Sequence, residues 1–166
     1  MRFIKTGLLS LAAGFTFAHT ATAQQLVRTP LPNGAKFPIA LAVEVPAGDS
    51  TIYLSGIGAD PLPGAPHEYG DTATQTRSAL TKISGILQGL GLSFSNVVAV
   101  HVYLAGDKAK GGKLDFAGLQ AGWTQFFGTK TQPDLPARSA FQVAALANPG
   151  WLVEIEVIAA RPPKAE

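Results

Sequence analysis

The stretch Asn96-Val97-Val98-Ala99-Val100-His101-Val102-Tyr103-Leu104 decides how this chain folds. Side chains alternate across a strand, so Val98, Val100, Val102 and Leu104 take one face while Val97, Ala99, His101 and Tyr103 take the other. Both faces are largely apolar, a pattern expected when both are covered. The run therefore reads as a central strand, with helices on one side and either a second layer or a partner subunit on the other.

Working outward, Thr72 to Leu90 carries Thr76, Leu80, Ile83, Leu87 and Leu90 at helical spacing, behind the N-cap candidate Asp71 and before the terminator Gly91. On the other side, a Gly/Lys-rich loop from Ala105 to Lys113 leads into a second helix over Leu114 to Phe127, whose Phe116, Leu119, Trp123, Phe126 and Phe127 read mainly as core. Ile39 to Val45 and Thr51 to Ser55 are β-prone runs around Pro46-Ala47-Gly48-Asp49-Ser50 and look like a hairpin. Gly56 and Gly58 end the second run, where a bulge or a close approach by another group is the usual reason. Gln24 to Phe37, with Pro30, Pro32, Asn33 and Gly34, reads as an irregular lead-in. Two final strands, from Ala137 and from Trp151, are joined through Ala147-Asn148-Pro149-Gly150 as a second expected hairpin. The order is ββαβαββ, an α+β fold with one mixed sheet and two helices on one face.

The N-terminus has a different character. Met1-Arg2-Phe3-Ile4-Lys5 is basic, Gly7 to Ala18 is apolar but too short to span a bilayer, and Ala21-Thr22-Ala23 gives a small-x-small ending. Residues 1–23 are expected to be a signal peptide, leaving one domain over 24–166 that is periplasmic or secreted and not held in a membrane. Removing the 23 residues from 166 leaves 143, enough for a substantial core. The 13 basic residues less Arg2 and Lys5 become 11, against 11 acidic ones, so the mature charge is about zero. A neutral chain lacks the electrostatic footprint of a nucleic-acid binder, and Lys108, Lys110 and Lys113, set among glycines, read as a solvated loop. There is no cysteine, which excludes disulfides, thiol chemistry and Cys-ligated zinc. His67 and His101 are too few and too separated in the mature chain to suggest a metal site.

Charges inside the last two strands are the candidate chemistry. Arg138 opens one, and Glu154 and Glu156 share a face of the next, although a charge taken from water is costly unless paired or facing a cavity. A guanidinium fork suits a carboxylate ligand, and a partly buried glutamate suits a general base. A structural ion pair is the competing reading, but a hairpin about Asn148 and Pro149 sets Arg138 opposite residues near Ala159, so contact with Glu154 needs a subunit boundary. His101 reads as a hydrogen-bonded core or interface histidine and His67 as incidental.

Tyr53-Leu54-Ser55-Gly56, Gln75-Thr76-Arg77, Trp123-x-x-Phe126-Phe127, Pro136-Ala137-Arg138-Ser139 and Val153-Glu154-Ile155-Glu156-x-Ile158-Ala159 carry a resemblance. From about Leu31 to Arg161 the chain resembles the RidA (reactive-intermediate deaminase, YjgF-like) family. The resemblance implies a chorismate-mutase-like subunit in a homotrimer with three intersubunit clefts. It implies hydrolysis of a 2-imino or enamine acid to a 2-keto acid and ammonia, without metal or organic cofactor. Arg138 is expected to hold the ligand carboxylate and Glu154 to position water, with Ile39, Gly56, Gln120 and Ala140 lining the cleft. The chain departs from the family pattern at Ile39, where a tyrosine hydroxyl is lost, at Gln120 and Trp123, which replace asparagine and tyrosine, and at Ala140, where cysteine is common. A non-catalytic trimer that binds a small carboxylate, or a holdase-like protein, is the alternative. A ribonuclease role, sometimes attached to the family, fits the neutral charge badly.

Overall fold

The computed structural model describes residues 25–164, in the order β1 (Val27–Thr29), β2 (Ala42–Glu44), β3 (Ser50–Gly58), α1 (Thr72–Gly89), β4 (Val97–Leu104), α2 (Phe116–Trp123), β5 (Ala137–Gln142) and β6 (Val153–Arg161). The expected signal peptide lies outside the described residues. The α+β class, the mixed sheet and the two helices are as the sequence predicts, with a short extra strand, β1, in the stretch read as irregular.

Local chemistry sets the helix ends. The Asp71 carboxylate accepts the Thr74 N–H at 2.8 Å, which caps α1 and lowers the Asp71 pKa below its usual 3.8. At the other end Gly91 takes φ +72°, and the Leu92 N–H returns to the Leu87 carbonyl at 2.8 Å. Thr76, Leu80, Ile83 and Leu87 are buried as their spacing predicts, whereas Leu90 falls past the last turn and is exposed. Asp115 caps α2 by accepting the Gly118 N–H at 3.0 Å. This helix stops at Trp123, earlier than its aromatic pattern suggests, and Phe126 and Phe127 continue in a turn bonded back to the Trp123 carbonyl.

The four-stranded sheet has the order β3-β6-β4-β5, with antiparallel β3–β6 and β6–β4 pairs and a parallel β4–β5 pair. Neither expected hairpin forms. β2 pairs with β1 in a separate ribbon, while β3 finds in β6 a nine-residue partner as long as itself. β5 and β6 are separated by β4, because α2 serves as the crossover that returns the chain parallel to β4. The valine-rich strand is therefore central, as its two apolar faces require.

One sheet face carries the core. Val100, Val102, Leu104, Val153, Ile155, Val157 and Ala159 pack with Leu80, Ile83 and Leu87 of α1, with Leu119 and Trp123 of α2, and with Phe127. Val97 joins this side although simple alternation sends it to the other, because the β4–β6 register shifts between Val97 and Ala99. The helices approach so closely that a Cβ at Gly122 would stand 2.6 Å from the Thr76 Cβ and 2.9 Å from the Ala73 carbonyl oxygen. The opposite face, with Tyr53, His101, Tyr103, Phe141, Glu154, Glu156 and Ile158, has no second layer among the described residues, and Tyr53 is 76% exposed.

Candidate ligand site around Arg138

Strand register decides where each charge points. Arg138 pairs with Val100, a core residue, so its side chain leaves the sheet on the helix side. There the guanidinium carbon lies 4.5 Å from the Trp123 ring centre, 5.2 Å from Phe37 and 5.8 Å from Phe116. Phe37 and Phe116 stack with ring centres 6.0 Å apart at an interplanar angle of 7°. Burial among these rings pushes the Arg138 pKa down to about 10, and Nη1 is buried with no hydrogen-bond partner among the described residues. Ring faces attract a cation but accept no conventional hydrogen bond from it, so the buried donor is left for a ligand to satisfy.

The cage is held from behind. Trp123 Nε1–H donates to the Pro38 carbonyl at 2.9 Å, and the Ala40 N–H donates to the Pro136 carbonyl at 2.9 Å, joining the segment before β2 to the start of β5. Ile39 is thereby packed against the core. Gln120 lies four residues after Phe116 and three before Trp123, hence on the same side of α2, and its Oε1 is also buried without a partner among the described residues. Ala140 follows Arg138 by two residues and packs on the same face. Arg138, Ala140, Gln120 and Ile39 thus form one group.

Glu154 and Gly56 form another. Glu154 pairs with Tyr103, which puts it in the row of Tyr103 and Phe141 on the uncovered face. Its carboxylate occupies the space a side chain at position 56 would need: a Cβ there would collide with Glu154 Oε1 and stand 2.8 Å from its Cδ. The β3–β6 register shifts between Leu54 and Ile57, so the bulge brings Gly56 against the glutamate. Gly56 makes room for Glu154. Within one chain, then, the arginine and the glutamate sit two strands apart and leave opposite faces of the sheet, and the ion-pair reading does not hold.

The neighbouring glutamate is engaged differently. Tyr103 O–H donates to Glu156 Oε2 at 2.6 Å, which raises the tyrosine pKa above 10.0, and His101 Nδ1 is 3.5 Å from the same oxygen. His101 is a half-buried partner of this cluster, as its place in the strand suggests. Gln75, noted only as part of a motif, is buried and structural: its amide donates to the Gly70 and Gly150 carbonyls and accepts the Leu152 N–H at 2.8 Å, fixing the entry to β6. Phe37 and Phe116 are the site residues sequence reasoning misses, one assigned to a lead-in and the other to the core.

These features describe a small α+β protein with a desolvated arginine in an aromatic cage on one side of a mixed sheet. The sequence and the fold have relatives among known proteins. The family profile described as Endoribonuclease L-PSP matches residues 35–161. The chain is 41% identical over 116 residues to the 2-iminobutanoate/2-iminopropanoate deaminase of Bos taurus, covering 69% of this chain and 76% of that protein. It is 33% identical over 130 residues to the 3-aminoacrylate deaminase RutC of Acinetobacter baylyi, covering 78% and 94%. Among solved structures, a Rid-family protein of unknown function from Yersinia pestis matches with a TM-score of 0.63 at 25% identity, covering 82% and 98%. E. coli TdcF with bound serine matches with a TM-score of 0.55 at 29% identity, covering 81% and 94%. The chain belongs to the Endoribonuclease L-PSP family, the RidA/YjgF proteins.

Proposed function

We propose that the protein hydrolyses a reactive 2-imino acid, or the enamine in equilibrium with it, to a 2-keto acid and ammonia. Imine and aminoacrylate deamination is the activity for which relatives are named, which supports the reaction class. The observation that carries it here is the buried, unpartnered Nη1 of Arg138, a donor that a ligand carboxylate satisfies. The carboxylate binds at Arg138 and presents the C=N carbon to a water positioned by Glu154. Water oxygen bonds to the carbon of the protonated imine as the C=N π pair moves to nitrogen, and Glu154 takes the proton that the water gives up. Glu154 passes that proton to the carbinolamine nitrogen, and as the C–N bond breaks the hydroxyl oxygen becomes the keto oxygen and its proton leaves with the ammonia as ammonium. An enamine first takes a proton at its terminal carbon to become the imine. No metal or organic cofactor enters these steps.

Because Arg138 and Glu154 leave opposite faces of one sheet, the working cleft takes Arg138, Ala140, Gln120 and Ile39 from one copy and Gly56 and Glu154 from a neighbour. A homotrimer with three such clefts is the assembly proposed, and the uncovered face, with its exposed Tyr53 and Phe141, is the surface it would bury. The basic, apolar and small-residue order of residues 1–23 supports export to the periplasm or beyond. The partners are a small carboxylate and copies of the chain itself. Nucleic acid is not among them.

Purified cleaved protein is expected to accelerate ammonia release from freshly generated 2-iminobutanoate, and Arg138→Ala to abolish the acceleration. Wild-type release at the uncatalysed rate on 2-iminobutanoate, 2-aminoacrylate and the imine of 4-methyl-2-oxopentanoate alike would overturn the proposal. Ile39, which brings no hydroxyl to the cleft, favours the second reading, a non-catalytic carboxylate binder. Glu154→Gln separates the two: an enzyme loses turnover and keeps ligand binding, whereas a binder shows binding without turnover in the wild type as well.

A further inference from the structure

The walls of the arginine cage carry information about the rest of the ligand. Phe37 and Phe116 are 36% and 41% exposed, large apolar rings left partly in water beside a cation whose Nη1 has no hydrogen-bond partner among the described residues. They are not loose surface residues. Phe37 precedes the Pro38 carbonyl that receives the Trp123 Nε1–H at 2.9 Å, and Phe116 starts α2, so both residues are anchored at the backbone and their rings rest on one another. Their faces are stacked on one another and turned to the guanidinium, which leaves ring edges and the aliphatic Ile39 to meet whatever extends from a bound carboxylate. The rings about Arg138, those of Phe37, Phe116 and Trp123, carry no charge, and His101, the other basic residue among the described ones that line a cavity with Arg138, leaves the opposite face of the sheet. A ligand with a second carboxylate would set that charge against apolar rings, which is costly.

We infer that the site selects 2-imino acids and their keto-acid products with apolar side chains, branched aliphatic or aromatic, over small and dicarboxylic ones. The inference rests on the proposed carboxylate site at Arg138 and names the part of the substrate that the arginine does not read. Phe37, Phe116 and Ile39 determine specificity; they take no part in the bond-making steps. Apolar burial favours binding by a factor of about four for each methylene covered. Affinity therefore rises with the tail until the rings are spanned.

The test is calorimetric binding of a keto-acid series to the wild-type protein: pyruvate, 2-oxobutanoate, 4-methyl-2-oxopentanoate, phenylpyruvate and 2-oxoglutarate, with turnover of the corresponding imines measured alongside. Affinity is expected to climb roughly fourfold per covered carbon along the apolar members, with 2-oxoglutarate binding no better than pyruvate. Phe37→Ala is expected to compress the phenylpyruvate-to-pyruvate ratio at least tenfold, and Phe37→Leu to restore most of it for the branched acid. A flat series, a preference for pyruvate or 2-oxoglutarate, or a ratio unchanged in Phe37→Ala overturns the inference. Graded binding without imine turnover leaves it standing and defeats the deaminase reading; turnover without grading does the reverse. Absence of binding by every acid defeats both.

Discussion

At the scale of single residues, Arg138 and Glu154 behave unlike an ordinary pair of opposite charges. The arginine has rings where a carboxylate would be expected, and burial among them lowers its pKa to about 10. Its folded value lies below the ordinary arginine range, so the folded state holds the proton less tightly than the unfolded chain, and above about pH 10 this group's contribution to stability rises with pH until the unfolded chain also loses the proton. Ligand binding runs the other way. Keto-acid affinity is expected to be flat through neutral pH and to fall about tenfold per unit above pH 10, a profile that titration calorimetry would read directly. Arg138→Lys is expected to weaken binding by about 10- to 100-fold, since an ammonium neither presents the two-pronged fork nor lies flat against Trp123. Residue types and spacing made the arginine and the glutamate legible. They could not show Phe37, since no periodicity ties a residue in a proline-rich lead-in to an arginine a hundred positions later.

The elements show why some sequence signals transferred and others did not. Capping and helical periodicity are local, and α1 begins and ends where Asp71 and Gly91 place it. Asp71→Ala is expected to cost about 0.5–2 kcal/mol in a denaturant titration. Because the folded carboxylate holds a lowered pKa, its stabilisation is full above the ordinary 3.8 and is lost as pH falls through the folded value. Strand pairing is not local. Both expected hairpins assumed that consecutive strands pair, yet β3 chose β6, and β4 came between β5 and β6. Glycine spacing in α2 carried a signal of close packing that went unread: Gly118 and Gly122 abut Thr72 and Thr76 of α1. Gly122→Ala is expected to destabilise by about 1–3 kcal/mol, because the Ala73 carbonyl is backbone and cannot step aside, and this exceeds the roughly 1 kcal/mol that alanine otherwise gains over glycine in a helix. A Tm raised by the substitution would show that the helices separate at little cost.

For the whole molecule, one sheet face is filled by the protein's own helices, whereas the other, which the reading of β4 assigned to a second layer or a partner subunit, carries no layer among the described residues. Tyr53, Phe141 and Ile158 spread over the bare face, with the Tyr103–Glu156–His101 cluster among them. Sedimentation equilibrium is expected to give three times the mass of the cleaved chain, and Tyr53→Asp to shift it toward the monomer; a wild-type monomer at tens of micromolar would leave each arginine without a partner glutamate. The contact between Gly56 and Glu154 has a further consequence, for how the sequence can change. With Glu154 where it lies, the bulge has no room for a side chain on β3, and any such residue must turn the carboxylate aside. Positions 56 and 154 are therefore coupled. In a library randomised at both, selection for folding should admit larger residues at 56 with the glutamate displaced or replaced, whereas selection for turnover should keep glycine at 56 wherever the proposed water-positioning carboxylate stands at 154.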